Sequence, residues 1–337
     1  MYKLCITDYL EPPATFEEEI LKSLAHVECL RAKTADELIG RVTEADALLV
    51  FHEVTVPKTV IDTLTRCRII ARTGVGVDNV DVAAATEKGI VVTNVPDYGV
   101  DEVADHAMAL MLACNRGLLR ADRLLRPGLK PWDYRAIHPT MRLAGATMGI
   151  VGLGRIGTAT ALRAKAFRMR VIACDPYIAP GIDKAVGVQM ADLPTLLSES
   201  DVVSLHVPLT DETRHMIDAA AIARMKPHAI LVNTARGAVV DVAALAEALR
   251  QRRIGGAGID VLPTEPPGAD EPLIRLWLER SGTPVNLVIT PHSAFYSEAG
   301  MVEMRVKAAQ EVARVLRGER PRYGVNVQQL ARVPWRT

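Results

Sequence analysis

An apolar run at 147–151 passes into Gly152-Leu-Gly154-Arg-Ile-Gly157. A helical stretch follows at 158–167, and Asp175 closes the next apolar run 23 residues after the first glycine. In a strand–turn–helix–strand setting the first glycine permits a tight turn, the second offers bare backbone to an anion, and the third lets helix and strand pack closely. The helix amino terminus adds unpaired N–H groups and the positive end of its dipole. A dinucleotide is the expected ligand. Asp175 would accept from the adenosine ribose hydroxyls and repel a 2′-phosphate, so NAD is expected over NADP. Arg155, inside the motif, either is a solvated helix-start residue or leans over the pyrophosphate.

Around this motif, short β-branched runs alternate with helical periodicity, the pattern of parallel strands joined by helical crossovers. At about 150 residues per domain, the 337 residues predict two domains. Strands are expected at 3–7, 47–51, 69–72 and 90–93, with helical segments near 15–25, 35–44, 57–66 and 80–88. A second series is expected at 147–151, 171–174, 202–206, 230–233, 258–261 and 287–290. One long helix reads from 100 to 126, stopped by Arg126-Pro127-Gly128, and a last helix runs from 298 to 317 and closes on Gly318. Residues 263–286, with five prolines including Pro284, read as a long loop with one short helix. The expected fold class is α/β with two doubly wound parallel-sheet domains. A Rossmann dinucleotide-binding domain (99–293) is inserted into a smaller flavodoxin-like substrate domain (1–98 and 294–337).

Composition excludes several classes. Forty basic residues balance forty acidic ones without a long run of one sign, so binding to a nucleic-acid backbone is not expected. With 49% hydrophobic and 24% charged residues the chain reads as globular, with no membrane partner. The first residues read as a strand, not a signal peptide. Cys5, Cys29, Cys67, Cys114 and Cys174 lie far apart without metal-ligand spacing, which points to no metal, no disulfide framework and a reducing, cytoplasmic compartment.

Open α/β sheets bind ligands beyond the carboxyl ends of their strands, where this sequence places Asp175, His206, Arg236, Asp260 and His292. The fork of donors on Arg236 suits a carboxylate or the paired oxygens of a 2-oxo acid; the alternative is an interdomain salt bridge. His292 can give a proton to a carbonyl oxygen as hydride reaches carbon, with Glu265 holding the other ring nitrogen. Asp260 either holds a nicotinamide or caps its strand. In the first domain, glycines in Arg72-Thr-Gly74-Val75-Gly76 are spaced to turn backbone N–H groups toward an anion.

Through Gly152–Gly157, Asn233-Thr-Ala-Arg236-Gly237, Asp260, Glu265 and Thr290-Pro-His292, nearly the whole chain resembles the D-isomer-specific 2-hydroxyacid dehydrogenases. Ala161-Leu-Arg-Ala-Lys-Ala-Phe167, Asp175-Pro-Tyr177 and Pro291-His-Ser-Ala-Phe-Tyr-Ser-Glu298 are most similar to its C-terminal-binding protein branch. The resemblance implies Arg236, Glu265 and His292 as the catalytic three and a 2-oxo/2-hydroxy acid as substrate. It extends the NAD-binding set to Ile156, Pro176, His206, Val207, Pro208, Thr213, Thr234, Ala235, Arg236, Asp260 and His292. It places Val75 and Gly76 at the substrate carboxylate, with Arg72, His52, Arg236, His292 and Phe295 in the same pocket. The alternatives are that Arg72 pairs with a surface acid and His52 caps its strand. Phe295 stands where the animal corepressors of that branch carry tryptophan. Homodimers paired through the 100–120 helix are also implied. Two further readings stay open: a nucleotide-sensing interaction protein, and a D-3-phosphoglycerate dehydrogenase. Against the first stands the short stretch of about 19 residues after Gly318. Against the second stands the lack of an extra basic cluster in the substrate loop and of an appended regulatory domain.

Overall fold

The computed structural model describes residues 1–130, 132–279 and 285–330. Part of the expected 263–286 loop, including Pro284, and the last seven residues of the expected substrate domain lie outside the described residues. The chain forms two compact units, Met1–Gly99 with the segment from Ser297, and Val100–Tyr296.

The first unit holds five parallel strands: β1 (Tyr2–Ile6), β2 (Ala25–Cys29), β3 (Ala47–Val50), β4 (Ile69–Arg72) and β5 (Val91–Thr93). Their order, β2-β1-β3-β4-β5, is the flavodoxin-like winding. Every residue of β3 is buried, as in a strand covered on both faces, which is why it reads as an unbroken apolar run. Strand β2 is absent from the sequence reading. It lies at the sheet edge and carries His26 and Glu28, so no apolar run announces it. The last helix, Glu298–Leu316, is N-capped by Ser297, whose Oγ accepts from the Gly300 N–H at 2.9 Å. It ends on Gly318 at φ +80°. It belongs to this unit and packs on β4 and on helix Thr15–Leu21, where Arg305 grips the fully buried Glu17 through two hydrogen bonds of 2.6 and 2.8 Å.

The second unit holds seven parallel strands: β6 (Thr147–Val151), β7 (Arg170–Cys174), β8 (Gln189–Met190), β9 (Val202–Leu205), β10 (Ile230–Asn233), β11 (Gly256–Ile259) and β12 (Leu287–Ile289). The order β12-β11-β10-β9-β6-β7-β8 is the Rossmann winding with β12 added outside. One face is filled by Leu196, Ile222, Leu245 and Leu249, the other by Met108, Met111, Ile150 and Ala161.

The expected single helix over 100–126 is corrected: there are two helices, Val100–Asn115 and Leu118–Leu125. Gly117 between them adopts φ +59°, and Asn115 turns its side chain to Met141, accepting from its N–H at 2.9 Å. The first of these helices lies tight on β11, where a Cβ on Gly258 would sit 2.7 Å from Cβ of Leu110. Among the described residues no helix is long and apolar enough to cross a membrane.

Candidate active site

Strands β6 and β9 are neighbours, and β7 and β10 run outward from them, so the winding reverses between them. That is the switch point at which open sheets take ligands. Gly152 ends β6 at φ +91°, and a Cβ there would lie 2.8 Å from the His206 carbonyl. A Cβ on Gly157 would meet the Gly152 carbonyl oxygen at 1.9 Å. Around Gly154 there is open space for 4 Å, the condition for a phosphate to approach bare backbone at the start of helix Arg155–Ala166. Beside it opens a cavity of about 590 Å³ lined by Gly154, Arg155, Asp175, Tyr177, Ile178 and Ile182. The Asp175 carboxylate accepts from Leu153 N–H at 2.8 Å and Tyr177 N–H at 2.9 Å, tying the glycine turn to the end of β7. Thr213 shapes the loop after β9 by donating to the Pro208 carbonyl at 2.6 Å. Burial pushes the His206 imidazole down to about 3, so it is neutral, with Nε2 against Ser204 Oγ at 2.9 Å. At the end of β10, buried Thr234 leaves its hydroxyl without a partner among the described residues. Open backbone at Gly154, the cavity wall and this orphaned hydroxyl fit a bound dinucleotide.

Beyond β10, Asn233 folds the chain back. Its side chain accepts from Ala235 N–H at 3.0 Å and donates to the Arg236 carbonyl at 2.9 Å. A Cβ on Gly237 would lie 2.0 Å from the Leu262 backbone, so the turn carrying Arg236 is pressed against the loop carrying Glu265. Across that loop Glu265 Oε2 lies 2.6 Å from His292 Nδ1, and Oε1 accepts from Leu262 N–H at 2.7 Å. Burial works against the Glu265 charge, but the hydrogen bond and charge of His292, the Leu262 N–H and the charge of Arg236 outweigh it and hold the carboxyl below its ordinary range. Glu265 is therefore ionised and accepts, Nδ1 of His292 donates, and Nε2 is left as the nitrogen able to exchange a proton. The His292 backbone sits at φ +50°, unusual for a residue with a Cβ. The Phe295 ring stands edge-on to its imidazole with centroids 6.0 Å apart.

Asp260 is 2% exposed, and its carboxylate accepts from Thr290 Oγ1 at 2.5 Å, Ser293 N–H at 3.0 Å and Ala294 N–H at 2.9 Å. This carboxylate thereby ties the end of β11 to the loop that carries His292. Sequence reasoning named Asn233 only within its motif, without a role, and did not single out His106. The latter places Nε2 3.0 Å from Thr290 Oγ1.

In the first unit Arg72 ends β4 and donates to the Thr73 carbonyl. Its guanidinium occupies the space that a Cβ on Gly74 would need, 1.5 Å away. His52 lies on the loop after β3, 5.1 Å from the Tyr9 ring. That loop takes its caps from Asp8, which accepts from Phe51, Glu53 and Val54 N–H groups at 2.7–3.2 Å. Asp8, buried at the end of β1, was also not foreseen; the Thr7-Asp8 pair closing an apolar strand was its available signal.

Residues 108–294 match the family model described as D-isomer specific 2-hydroxyacid dehydrogenase, NAD binding domain. The chain is 43% identical over 300 residues to a glyoxylate reductase of Korarchaeum cryptofilum, covering 88% of this chain and 87% of that one. It is 40% identical over 331 residues to a D-3-phosphoglycerate dehydrogenase of Methanocaldococcus jannaschii, covering 98% of this chain but only 60% of the longer relative. Among solved structures, a D-lactate dehydrogenase from Aquifex aeolicus complexed with NAD and lactic acid superposes with a TM-score of 0.83 at 29% identity, covering 97% of each chain.

Proposed function

The chain belongs to the D-isomer specific 2-hydroxyacid dehydrogenase family, and on that footing we propose that it interconverts a small 2-oxo acid and the D-2-hydroxy acid, with NAD as redox partner. The observation that carries this reading is the 2.6 Å contact of His292 Nδ1 with Glu265. A carboxylate fixed on one ring nitrogen sets the tautomer and orients the ring, leaving Nε2 to deliver a proton to the substrate oxygen and retrieve it in reverse. When bound, the nicotinamide supplies or accepts the hydride. Arg236, on a turn fixed by Asn233 and Gly237, is assigned to orient the substrate carboxylate. Val75, Gly76, Arg72 and His52 of the first unit, with Phe295, are assigned to substrate binding. Gly152–Gly157, Asp175, Pro176, His206–Pro208, Thr213 and Thr234–Arg236 are assigned to NAD, with Asp260 and His292 at its nicotinamide end.

A phosphorylated substrate is the reading favoured by the 40% identity to the phosphoglycerate dehydrogenase. A nucleotide-sensing role, in the manner of the C-terminal-binding protein branch, is favoured by the motifs at 161–167, 175–177 and 291–298. Following NADH consumption with glyoxylate, pyruvate and a phosphorylated oxo acid separates the three. Turnover with the phosphorylated acid alone supports the second, and NADH binding without oxidation supports the third.

A homodimer is part of the proposal, paired through the 100–120 segment and the exposed residues that continue it. The apolar side chains Val103, Ala107, Met108, Leu110 and Met111 of Val100–Asn115 are buried within the protomer. Helix Leu118–Leu125, by contrast, buries none of its residues, and Trp132 and Tyr134 beyond it are 79% and 84% exposed. Apolar surface left open on this scale suits a second copy of the chain.

A further inference from the structure

Resting on the catalytic reading of His292, we infer that Thr290 and His106 are positioning residues that hold the acid/base loop through Asp260. The loop needs holding, because His292 sits in the left-handed region, which a residue with a Cβ adopts only when its surroundings enforce it. The enforcement converges on Asp260. Its carbonyl accepts from His292 N–H at 2.8 Å, and its carboxylate accepts from the next two N–H groups, of Ser293 and Ala294. The same carboxylate accepts from Thr290 at 2.5 Å.

The direction of these bonds fixes more than the distances alone. A carboxylate only accepts, so the single hydroxyl proton of Thr290 goes to Asp260. Thr290 Oγ1 then meets His106 Nε2, 3.0 Å away, with a lone pair, and Nε2 of His106 carries hydrogen. The chain runs His106 Nε2–H to Thr290 O–H to Asp260, with Nε2 also 3.5 Å from the Asp260 oxygen. It starts on helix Val100–Asn115, which the sheet packs firmly, and ends on the strand end that cradles His292. A rigid helix is thereby connected by hydrogen bonds to the loop whose placement decides proton transfer. Small misplacements of a reacting group are costly in rate, up to about 100-fold for 1 Å.

The test compares Thr290→Val, which keeps the shape and removes the hydroxyl, with Thr290→Ser, which restores it. In Thr290→Val, kcat should fall between about 10- and 100-fold while NADH affinity, read by fluorescence titration, stays within about 2-fold. Thr290→Ser should recover most of the loss. His106→Phe should lower kcat in the same direction by a smaller factor. An unchanged kcat in Thr290→Val overturns the inference. So does a loss matched by equal loss of NADH affinity, or one that serine does not rescue. A second readout does not depend on turnover: the His292 ring signal in histidine-labelled protein should be single and sharp in wild type and Thr290→Ser, and broadened or split in Thr290→Val. Were the wild type to consume NADH with no oxo acid, the catalytic reading would fail. The ring signal would still decide the positioning claim, an unaltered signal in Thr290→Val counting against it.

Discussion

Glu265 and His292 stand 27 residues apart in the chain, yet their side chains meet at 2.6 Å between Oε2 and Nδ1. The carboxylate that holds the imidazole is itself held by Leu262 N–H at 2.7 Å and by the charge of Arg236. Its hydrogen bonds make the imidazole's orientation a property of the fold.

Replacing Glu265 by glutamine keeps the shape and removes the accept-only carboxylate that fixes the ring tautomer of His292. Turnover should fall by at least about 10-fold, because an amide can also present its NH2 to Nδ1 and so permits the ring tautomer in which Nδ1 carries no hydrogen. Steady-state kcat of both proteins checks this; equal values would remove Glu265 from its assigned task.

The same pair makes stability depend on pH. The Glu265 carboxyl titrates below its ordinary value in the folded protein. Its contribution is therefore present above the ordinary carboxylate range and is lost as pH falls through the lowered native value. Denaturant unfolding of wild type and Glu265→Gln should differ at pH 7, and the difference should shrink as pH falls below the ordinary carboxylate range. A difference that stays constant through that fall contradicts the assignment.

Gly157→Ala places a methyl 1.9 Å from the Gly152 carbonyl oxygen, inside contact distance of backbone that cannot swing away. Helix Arg155–Ala166 must shift, at a cost of about 1–3 kcal/mol or more. Thermal unfolding should show a lowered midpoint, with NADH affinity lost in parallel because the same turn cradles the ligand.

Asp175→Ala should weaken NADH binding and narrow the preference over NADPH, measured as the ratio of the two dissociation constants. Besides losing charge, the variant frees the Leu153 and Tyr177 N–H groups that tie the glycine turn to β7. An unchanged ratio would contradict the role given to this carboxylate.

How much of this was legible in the sequence follows from where each signal lies. The glycine turn and Asp175 are local: 24 residues hold the turn, the helix and the acid, so their joint meaning survives without coordinates. Buried parallel strands such as β3 announce themselves by unbroken apolarity. Strand β8, with two residues, is too short to have a period, and edge strand β2 is half polar. The long helix was overextended because apolar spacing continues across Gly117, whose left-handed backbone outweighs it. At the site, the strand-end positions of Arg236 and His292 could be read from the chain. The link from His106 to Thr290 could not, since 184 residues separate them and only packing brings the helix to β12.

The central claim is tested most directly by NADH oxidation with a panel of small 2-oxo acids, comparing wild type with His292→Asn. The account predicts that the wild type consumes NADH with at least one of them, and that the variant binds NADH with similar affinity but turns over about 10²–10⁴-fold more slowly. A wild type that binds NADH yet oxidises it with none of the acids, or a variant that turns over normally, would contradict it.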